Sequence, residues 1–314
     1  MRAPAYPGAT KRASYWVFSV LTSAVPMLSR RAICVSRDRA LRPVIDRALA
    51  AAGLAVEHRD RVPDDSDGAA LVIVDRATRQ AAGGELGALA APVVIVGDDL
   101  DDDGLIATML DAPVSHLVAD PHDRVLAITS EKLASGDLFG LEKYVAPGAP
   151  VGERVVEGDA DKRHAMAEVC VWAEAIGARR PLVHRLANVV DELLMNALHD
   201  TPDTCDRRVA LRWSADDHVI AISVGDRCGA LRQRDVMDHV RRARSERGRP
   251  RPETDAQRGA GIGLYLVVAN VASLVFNVEA GRRTEVVCLF DRARAGRPAA
   301  SPVRSLHVFQ AAAP

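Results

Sequence analysis

The sequence predicts an α/β protein with room for about two domains in its 314 residues. Hydrophobic residues make up 48% and charged residues 26%, which is typical of globular proteins and excludes a mainly disordered chain. In the first half, short Val- and Ile-rich runs alternate with helical stretches, and in the second half two helices precede pairs of strands. Both patterns favour helices packed on a sheet.

Charge and cysteine usage exclude several function classes. The 41 Lys and Arg residues are balanced by 42 Asp and Glu residues, so no overall charge favours nucleic acid or an acidic membrane surface as a partner. The cysteines are odd in number and scattered, without a C-x-x-C pair: Cys34, Cys170, Cys205, Cys228 and Cys288. This spacing predicts neither a zinc site nor a disulfide framework, and it indicates a reducing, cytoplasmic compartment.

The first 29 residues are expected to be a disordered leader. Lys11 and Arg12 precede a weakly apolar run over residues 15–28, which superficially resembles a signal peptide. The run is shorter than the roughly 20 residues that a membrane span needs. A true start at Met27 fits the same pattern, and export or anchoring is the alternative.

Residues 30–135 read as alternating strands and helices. Apolar runs predict strands at 32–36, 54–56, 71–74, 92–96 and 115–118, and the spacing of Leu41, Val44, Ile45 and Leu49 predicts a helix over 39–52. Continuous Val and Ile runs are typical of parallel strands that are buried on both faces. The segment therefore predicts a flavodoxin-like doubly wound domain.

This segment resembles a response-regulator receiver domain. The resemblance gives Asp75, at the end of the third strand, the place of the phosphate acceptor. The acidic pair after the first strand is reduced to residues 36–38, Gly97 stands where a hydroxyl residue is expected, and residues 119–120 lack the lysine. Because phosphoryl transfer needs such groups, we expect Asp75 to be a strand-end residue of a degenerate receiver, with phosphorylation as the alternative. The acidic run at 98–103 is expected to be a solvated loop.

Residues 136–160 predict a linker, because a cluster of Pro and Gly at 146–152 follows a short amphipathic stretch. The second domain is expected over 161–292, followed by a tail over 293–314. It begins with predicted helices at 162–177 and 181–199.

Two polar residues of the second helix share one face. Glu192 and Asn196 are four residues apart and therefore point to the same side of the helix. The two side chains can then serve one ligand, with the Asn196 amide oxygen binding magnesium and the Glu192 carboxylate acting as a base. By itself this spacing is more typical of a solvated helix face. Strands are predicted at 208–213 and 218–224, and Asp226 follows the second one. A strand-end Asp can accept a hydrogen bond from an amine such as that of adenine, or it can cap a turn.

A glycine-rich segment follows, with Gly259, Gly261 and Gly263 leading into an apolar helix over 265–273. Free N–H groups at a helix N-terminus bind phosphates. The segment does not follow a strand, which excludes a dinucleotide fingerprint. Two closing strands are predicted at 275–278 and 284–290.

In this order, the motifs resemble the GHKL ATPase family over about residues 160–292. The resemblance implies an α/β sandwich of the Bergerat type with ATP and magnesium as cofactors. It gives each motif a role: Glu192 as general base, Asn196 as magnesium ligand, Asp226 as the adenine-reading residue with Gly229 beside it, and Gly259, Gly261, Gly263 and Leu264 as the phosphate loop.

The sequence departs from the family in its first glycine box, where Cys228 and Ala230 occupy glycine positions, which affects affinity more than fold. The predicted ATP lid over 232–258 contains nine Arg against five acidic residues, and one of these Arg residues is a candidate contact for the γ-phosphate.

The resemblance leaves three functions open. No helical hairpin with a phosphoacceptor His precedes the domain; His164 and His184 are the nearest histidines. We therefore expect a cytoplasmic regulator of the anti-sigma, serine-kinase type. It would phosphorylate a Ser or Thr of a sigma-factor-like or anti-anti-sigma-like partner, or switch a partner interface, under control of the receiver-like domain. The alternatives are an ATP-binding adaptor without turnover and a remnant of a hybrid histidine kinase. The oligomeric state stays open, a homodimer included.

Overall fold

The structure is a computed structural model that describes residues 30–66, 68–100, 102–111, 113–122, 124–199, 205–245, 259–292 and 303–311. The predicted leader lies outside the described residues, as does the second part of the predicted lid, residues 246–258. The side chains of residues 242–245, 259–263 and 265 are not described either.

The chain is a mixed α/β protein. Its described residues form a single sheet of eleven strands in the order β2-β1-β3-β4-β5-β11-β9-β10-β8-β7-β6, with eight α-helices. The strands are β1 Arg31–Val35, β2 Ala55–Arg59, β3 Leu71–Asp75, β4 Val93–Val96, β5 Val114–Val118, β6 Val151–Val156, β7 Val209–Ala215, β8 Val219–Asp226, β9 Ser273–Glu279, β10 Arg283–Asp291 and β11 Ser305–Gln310. The helices are α1 Arg42–Ala51, α2 Arg76–Ala82, α3 Asp103–Thr108, α4 Val125–Ser135, α5 Asp159–Ala175, α6 Arg180–His199, α7 Gln233–Ser245 and α8 Gly259–Asn270.

The N-terminal strands β1 to β5 are all parallel, as the apolar runs predicted. All the residues of β3, β4 and β5 are buried, because helices cover both faces of this part of the sheet. The helix α1 packs its buried Ile45 and Leu49 on one face, and Leu105 and Ile106 of α3 pack on the other. The five predicted strands and the first helix are confirmed to within a few residues.

The C-terminal strands are antiparallel, apart from the β11–β9 pair, and the helices α5 to α8 cover one face of them. The long helix α6 buries an apolar stripe that includes Leu186, Val190 and Leu194, which explains why its helical spacing was readable. The four predicted strands of this half and the helices α5 and α6 are confirmed.

Two strands lie where no strand was predicted. Val151–Val156, in the predicted linker, forms β6 at the edge of the sheet beside β7. Ser305–Gln310, in the predicted tail, forms β11 between β5, to which it is antiparallel, and β9, to which it is parallel. The two halves of the chain therefore share one sheet, and their division into separate domains stays a prediction.

A buried polar cluster ties the two halves together beside β11. The ammonium of Lys132 in α4 donates hydrogen bonds to Asn277 Oδ1 of β9 (2.7 Å) and to the Tyr144 hydroxyl (2.8 Å). Glu285 of β10 accepts a hydrogen bond from the Asn277 amide and another from the Gly140 N–H. Burial lowers the pKa of Lys132 to about 7, although the charge of Glu285 opposes the shift.

None of the helices in the described part of the chain combines the length and the apolar character that crossing a membrane requires.

Candidate functional site

A cavity of about 380 Å³ lies between the helices α6, α7 and α8 and the strands β8, β9 and β10. Its walls are mainly apolar: Leu193, Val224, Val236, Leu264, Phe276 and Val286. A few polar side chains also line it: Asn196, Asp226, Asp235, His239 and Thr284. An apolar cavity with a few convergent polar groups is typical of a small-molecule site.

Asp226 lines the cavity at the end of β8 and also caps the turn that follows. Its Oδ1 accepts hydrogen bonds from the backbone N–H groups of Cys228 (2.7 Å) and Gly229 (3.1 Å). Among the described residues, its Oδ2 has no hydrogen-bond partner. The turn-cap interpretation is therefore confirmed, whereas the adenine-reading role stays a prediction that the second oxygen leaves open.

Gly229 is a glycine for a steric reason. Its φ of +63° is unfavourable for other residues, and a Cβ atom there would lie 2.1 Å from the carbonyl oxygen of Glu279. The Gly229 carbonyl accepts a hydrogen bond from the Gly281 N–H. The turn after Asp226 is thus fastened to the β9–β10 hairpin.

The helix α6 brings Asn196 to the cavity but not Glu192, which does not line it in the described structure. Glu192 is half-buried one helical turn away. Burial raises its pKa, and the neighbouring charge of Asp191 raises it further, while Lys162 opposes the shift. A raised pKa suits a carboxylate that has to accept a proton near neutral pH.

Thr284 is a cavity residue that sequence reasoning missed. It pairs with Asp226 across the β8–β10 ladder, so the two side chains share one face of the sheet. Its hydroxyl is buried and has no hydrogen-bond partner among the described residues. The only sequence signal was a Thr at the start of an apolar strand, and such residues are common in strands.

The glycine segment is helical, contrary to the expectation of a loop. The helix α8 begins at Gly259, so Gly259, Gly261 and Gly263 lie in its first two turns. Glycine costs about 1 kcal/mol per residue in a helix. The packing of α8 on α6 and α7, with Leu264 and Val267 buried, compensates for that cost. The same helix, α8, contributes Leu264 to the wall of the cavity.

The first part of the predicted lid is also a helix. The segment Gln233–Ser245 forms α7, whose Asp235, Val236 and His239 face the cavity. At its start, the Gln233 side-chain amide lies within hydrogen-bond distance of the carbonyls of Met109, Asp111 and Val114. A wall of the cavity is thereby attached to the N-terminal half of the chain.

Cys205 and Cys228 form a disulfide bond, which the sequence analysis did not predict when it found no basis for a disulfide framework. The fold brings together two residues that are 23 positions apart, which scattered spacing cannot show. Cys34, Cys170 and Cys288 are free thiols.

Asp75, the candidate phosphoacceptor, is 3% exposed and both of its oxygens are engaged. Its Oδ2 accepts hydrogen bonds from the Ser36 hydroxyl (2.7 Å) and the Asp38 N–H (2.9 Å), and its Oδ1 accepts one from the Thr78 N–H (2.7 Å). Burial acts to raise the pKa of Asp75, but these hydrogen bonds outweigh it and hold the pKa below its usual value. The geometry favours the strand-end alternative, and phosphorylation stays a prediction.

The acidic run after β4 is not simply a solvated loop. The guanidinium of Arg79, which is 4% exposed, donates hydrogen bonds to Asp98 (2.7 Å) and Asp102 (2.5 Å). Asp98 is buried with it, and Asp102 caps the N-terminus of α3. The expectation is therefore wrong for these acids, because α2 supplies a positive charge that the sequence places 19 residues earlier than Asp98.

The two candidate histidines, His164 of α5 and His184 of α6, are both exposed. Within the described ranges, no three His, Cys, Asp or Glu side chains come together as a metal site. Among the predicted site residues whose side chains the structure describes, Asn196, Asp226 and Leu264 line one cavity.

No family model and no curated protein matches the chain. Among solved structures it is similar to a chain in the crystal structure of the SiaB-SiaC complex from Pseudomonas aeruginosa, with 12% sequence identity and a TM-score of 0.33. The match covers 44% of this chain and 88% of that chain. A likeness this weak does not carry a function over to this chain.

Proposed function

We propose that the chain is a signalling regulator that binds magnesium-ATP in the cavity between α6, α7, α8 and the sheet. The observation that carries the proposal is the convergence of Asn196, Asp226 and Leu264, which come from three separate sequence motifs, on one cavity. The resemblance to GHKL ATPases assigns all three motifs to one nucleotide, and a common cavity is what that assignment requires.

The polar residues of the cavity fit a nucleotide. The free Oδ2 of Asp226 accepts a hydrogen bond from the amine of adenine, and the unpartnered hydroxyl of Thr284 lies beside it on the same face. The Asn196 side chain offers an amide oxygen, which magnesium accepts as a ligand together with phosphate oxygens. When bound, magnesium would neutralise phosphate charge, and phosphates held near the N-terminus of α8 would be favoured by the helix dipole.

We assign Glu192 the role of general base. It lies one turn from Asn196 on α6, and its raised pKa suits the removal of a proton from the hydroxyl of a partner Ser or Thr. The proposed kinase activity depends on Glu192, whereas the proposed binding of ATP does not.

In this proposal the two halves have separate tasks. The parallel strands in the order β2-β1-β3-β4-β5 correspond to a flavodoxin-like, receiver-like unit, and α5 to β10 correspond to the GHKL unit. The receiver-like unit modulates the cavity through Gln233, whose amide joins the start of α7 to the segment between α3 and β5.

An ATP-binding adaptor without turnover is the second candidate. The replacement of two family glycines by Cys228 and Ala230, both of which line the cavity, favours it. Under this alternative the nucleotide only sets the conformation that a protein partner recognises.

Calorimetric titration with magnesium-ATP tests nucleotide binding. Wild-type protein should bind, and Asp226→Asn should lose at least about tenfold in affinity, since an amide cannot replace a charged acceptor without loss. Asp217→Asn, in the exposed bend just before β8 and at the opposite end of the strand from Asp226, is the matched control and should bind like wild type. A wild-type protein that binds no nucleotide would overturn the proposal.

A Glu192→Ala variant separates the two candidates. If the chain is a kinase, the variant should bind magnesium-ATP normally but lose ATP turnover and phosphorylation of a Ser or Thr substrate. Wild-type protein that binds ATP without any turnover would favour the adaptor. Acid-labile phosphate on His164 or His184 would instead indicate a histidine-kinase remnant.

A further inference from the structure

The cavity has a disulfide bond in its wall. Cys228 lines the cavity two residues after Asp226, and it is bonded to Cys205. Cys205 belongs to the segment between α6, which carries Asn196, and β7. The bond therefore links the segment that follows α6 to the turn that follows β8, and both α6 and this turn contribute residues to the cavity wall.

An ion pair also connects this segment to the turn, beside a second pair within the segment itself. Asp206 makes ion pairs with Arg227 (3.2 Å) and with Arg208 (2.7 Å). The arginine side chains are 66% and 52% exposed, so these pairs contribute little in water. Of these two described links between the segment and the turn, the covalent bond is the stronger.

Cys228 also determines how Asp226 is held. Its backbone N–H donates the 2.7 Å hydrogen bond to Asp226 Oδ1, and Gly229 beside it is fastened to the β9–β10 hairpin. A displacement of Cys228 therefore changes the orientation of the carboxylate that faces the cavity.

We propose that the Cys205–Cys228 bond is a thiol–disulfide switch, and that the oxidised protein binds magnesium-ATP more tightly than the reduced protein. This inference rests on the proposed function of the cavity.

The switching step is an exchange with a dithiol reductant. One thiolate of the reductant attacks Sγ of Cys205, which is the more exposed residue of the pair, and Cys228 leaves as a thiolate that takes up a proton. The second thiol of the reductant then displaces Cys205 and closes its own disulfide. Two electrons and two protons pass to the protein, and a low-molecular-weight disulfide reverses the reaction.

The remaining cysteines do not compete in this exchange. Burial raises the pKa of Cys34 to about 12 and that of Cys288 further still, and burial together with the charge of Glu174 raises the pKa of Cys170. Thiols that stay protonated react slowly, so exchange is directed to the bonded pair.

The test measures magnesium-ATP affinity by calorimetry on oxidised protein and on protein reduced with dithiothreitol, with thiol labelling and mass spectrometry to count free cysteines. Reduction should lower the affinity at least about fivefold, which is at the low end of coupling between linked sites. Cys205→Ser should show the reduced affinity in both conditions, and Cys170→Ser should respond like wild type. By linkage, saturating magnesium-ATP should make the bond harder to reduce by the same factor in a dithiothreitol redox titration.

Equal affinities of the oxidised and reduced proteins would overturn the switch and leave the proposed function standing. Tighter binding by the reduced protein would overturn the stated direction. Absence of binding in both forms would overturn the proposed function and the switch together. A thermal unfolding curve for Cys205→Ser distinguishes a lost restraint from a lost fold.

Discussion

Asp75 and Asp226 both end a strand of the same sheet, but their surroundings are opposite. Three hydrogen bonds engage both oxygens of Asp75, which is 3% exposed. Asp226 uses one oxygen for its turn, its other oxygen has no hydrogen-bond partner among the described residues, and the residue lines a cavity of about 380 Å³. A strand-end carboxylate indicates a ligand site only where its lone pairs and the space before it are not already filled by the chain.

The difference extends to the neighbouring side chains. Next to Asp75, Arg79 is buried between Asp98 and Asp102 and occupies the edge of the sheet with an internal ion pair. Next to Asp226, Thr284 has a buried hydroxyl without a partner in the described structure. A buried hydroxyl without a partner in the described structure also lies beside Asp75, at Thr78, so the contrast between the two edges rests on the carboxylates themselves and on the cavity that Asp226 lines.

The largest expected effect is the loss of stability in Arg79→Met. The variant removes the buried cation of Asp98 and leaves it only the longer contact with the half-exposed Arg76, which should lower the free energy of unfolding by about 3–5 kcal/mol. Arg76→Met is the matched control, because Arg76 is 47% exposed and contacts the same acids at 3.6–3.7 Å. Its loss should stay under about 1 kcal/mol in urea unfolding. Equal losses would show that the ion pair of Arg79 is not structural.

Asp75→Ala should be the next most damaging change. It removes the acceptor of three hydrogen bonds, including the N-cap of α2, so we expect a loss of about 2–3 kcal/mol in urea unfolding. Magnesium-ATP affinity should not change. A stable variant with altered nucleotide affinity would mean that Asp75 acts on the cavity and is not merely a cap.

Two buried histidines, on β11 and on the neighbouring strand β5, make the stability of the folded protein depend on pH. His307 pairs with His116 across β11 and β5, and both are buried. Burial, aided by the charge of Lys132, holds the pKa of His116 at about 3, and burial holds that of His307 well below its usual value. In the unfolded chain, both protonate near pH 6.5.

Below pH 6.5 the unfolded state therefore binds more protons than the folded state. For each unit by which the pH falls, each histidine lowers the free energy of unfolding by about 1.4 kcal/mol. For His116 this continues down to about pH 3. His307→Phe should flatten the dependence between pH 6 and 4 by about that amount in denaturant titrations. An unchanged slope would mean that His307 is protonated in the folded protein.

The smallest expected effect is that of Thr284→Val. The hydroxyl has no partner in the described structure, so its removal should not lower stability, whereas magnesium-ATP affinity should fall about fivefold with the loss of one hydrogen bond. Thr129→Val removes another unpartnered buried hydroxyl, in α4, and should change neither quantity. Calorimetry and urea unfolding of both variants check this. Equal affinities of the two variants would remove Thr284 from the site.

Local patterns predicted most of the fold. The Val and Ile runs gave the parallel strands, and the stripe of α6 gave the helix that carries Asn196. The strand β11 was missed because Ser305 and His307 interrupt its apolar pattern, and only the strands on both sides of it make it a buried strand. Its role depends on contacts that are remote in sequence.

The same distinction applies to the site. Asn196 and Asp226 belong to motifs with a local spacing, so sequence could propose them together. Thr284 and the Cys205–Cys228 bond become visible only through strand register and loop packing. Asp75 is the converse case. It has the position of a phosphoacceptor in the receiver motif, but hydrogen bonds within the chain engage both of its carboxylate oxygens.

Urea unfolding with and without saturating magnesium-ATP, on wild type, Asp75→Asn and Asp226→Asn, tests the contrast between the two aspartates most directly. A ligand at about 100 times its Kd stabilises the folded state by about 2.7 kcal/mol. We predict that magnesium-ATP stabilises wild type and Asp75→Asn by about this amount and Asp226→Asn by much less. Equal stabilisation of the two variants, or loss of it only in Asp75→Asn, would contradict the assignment of the nucleotide to the Asp226 cavity.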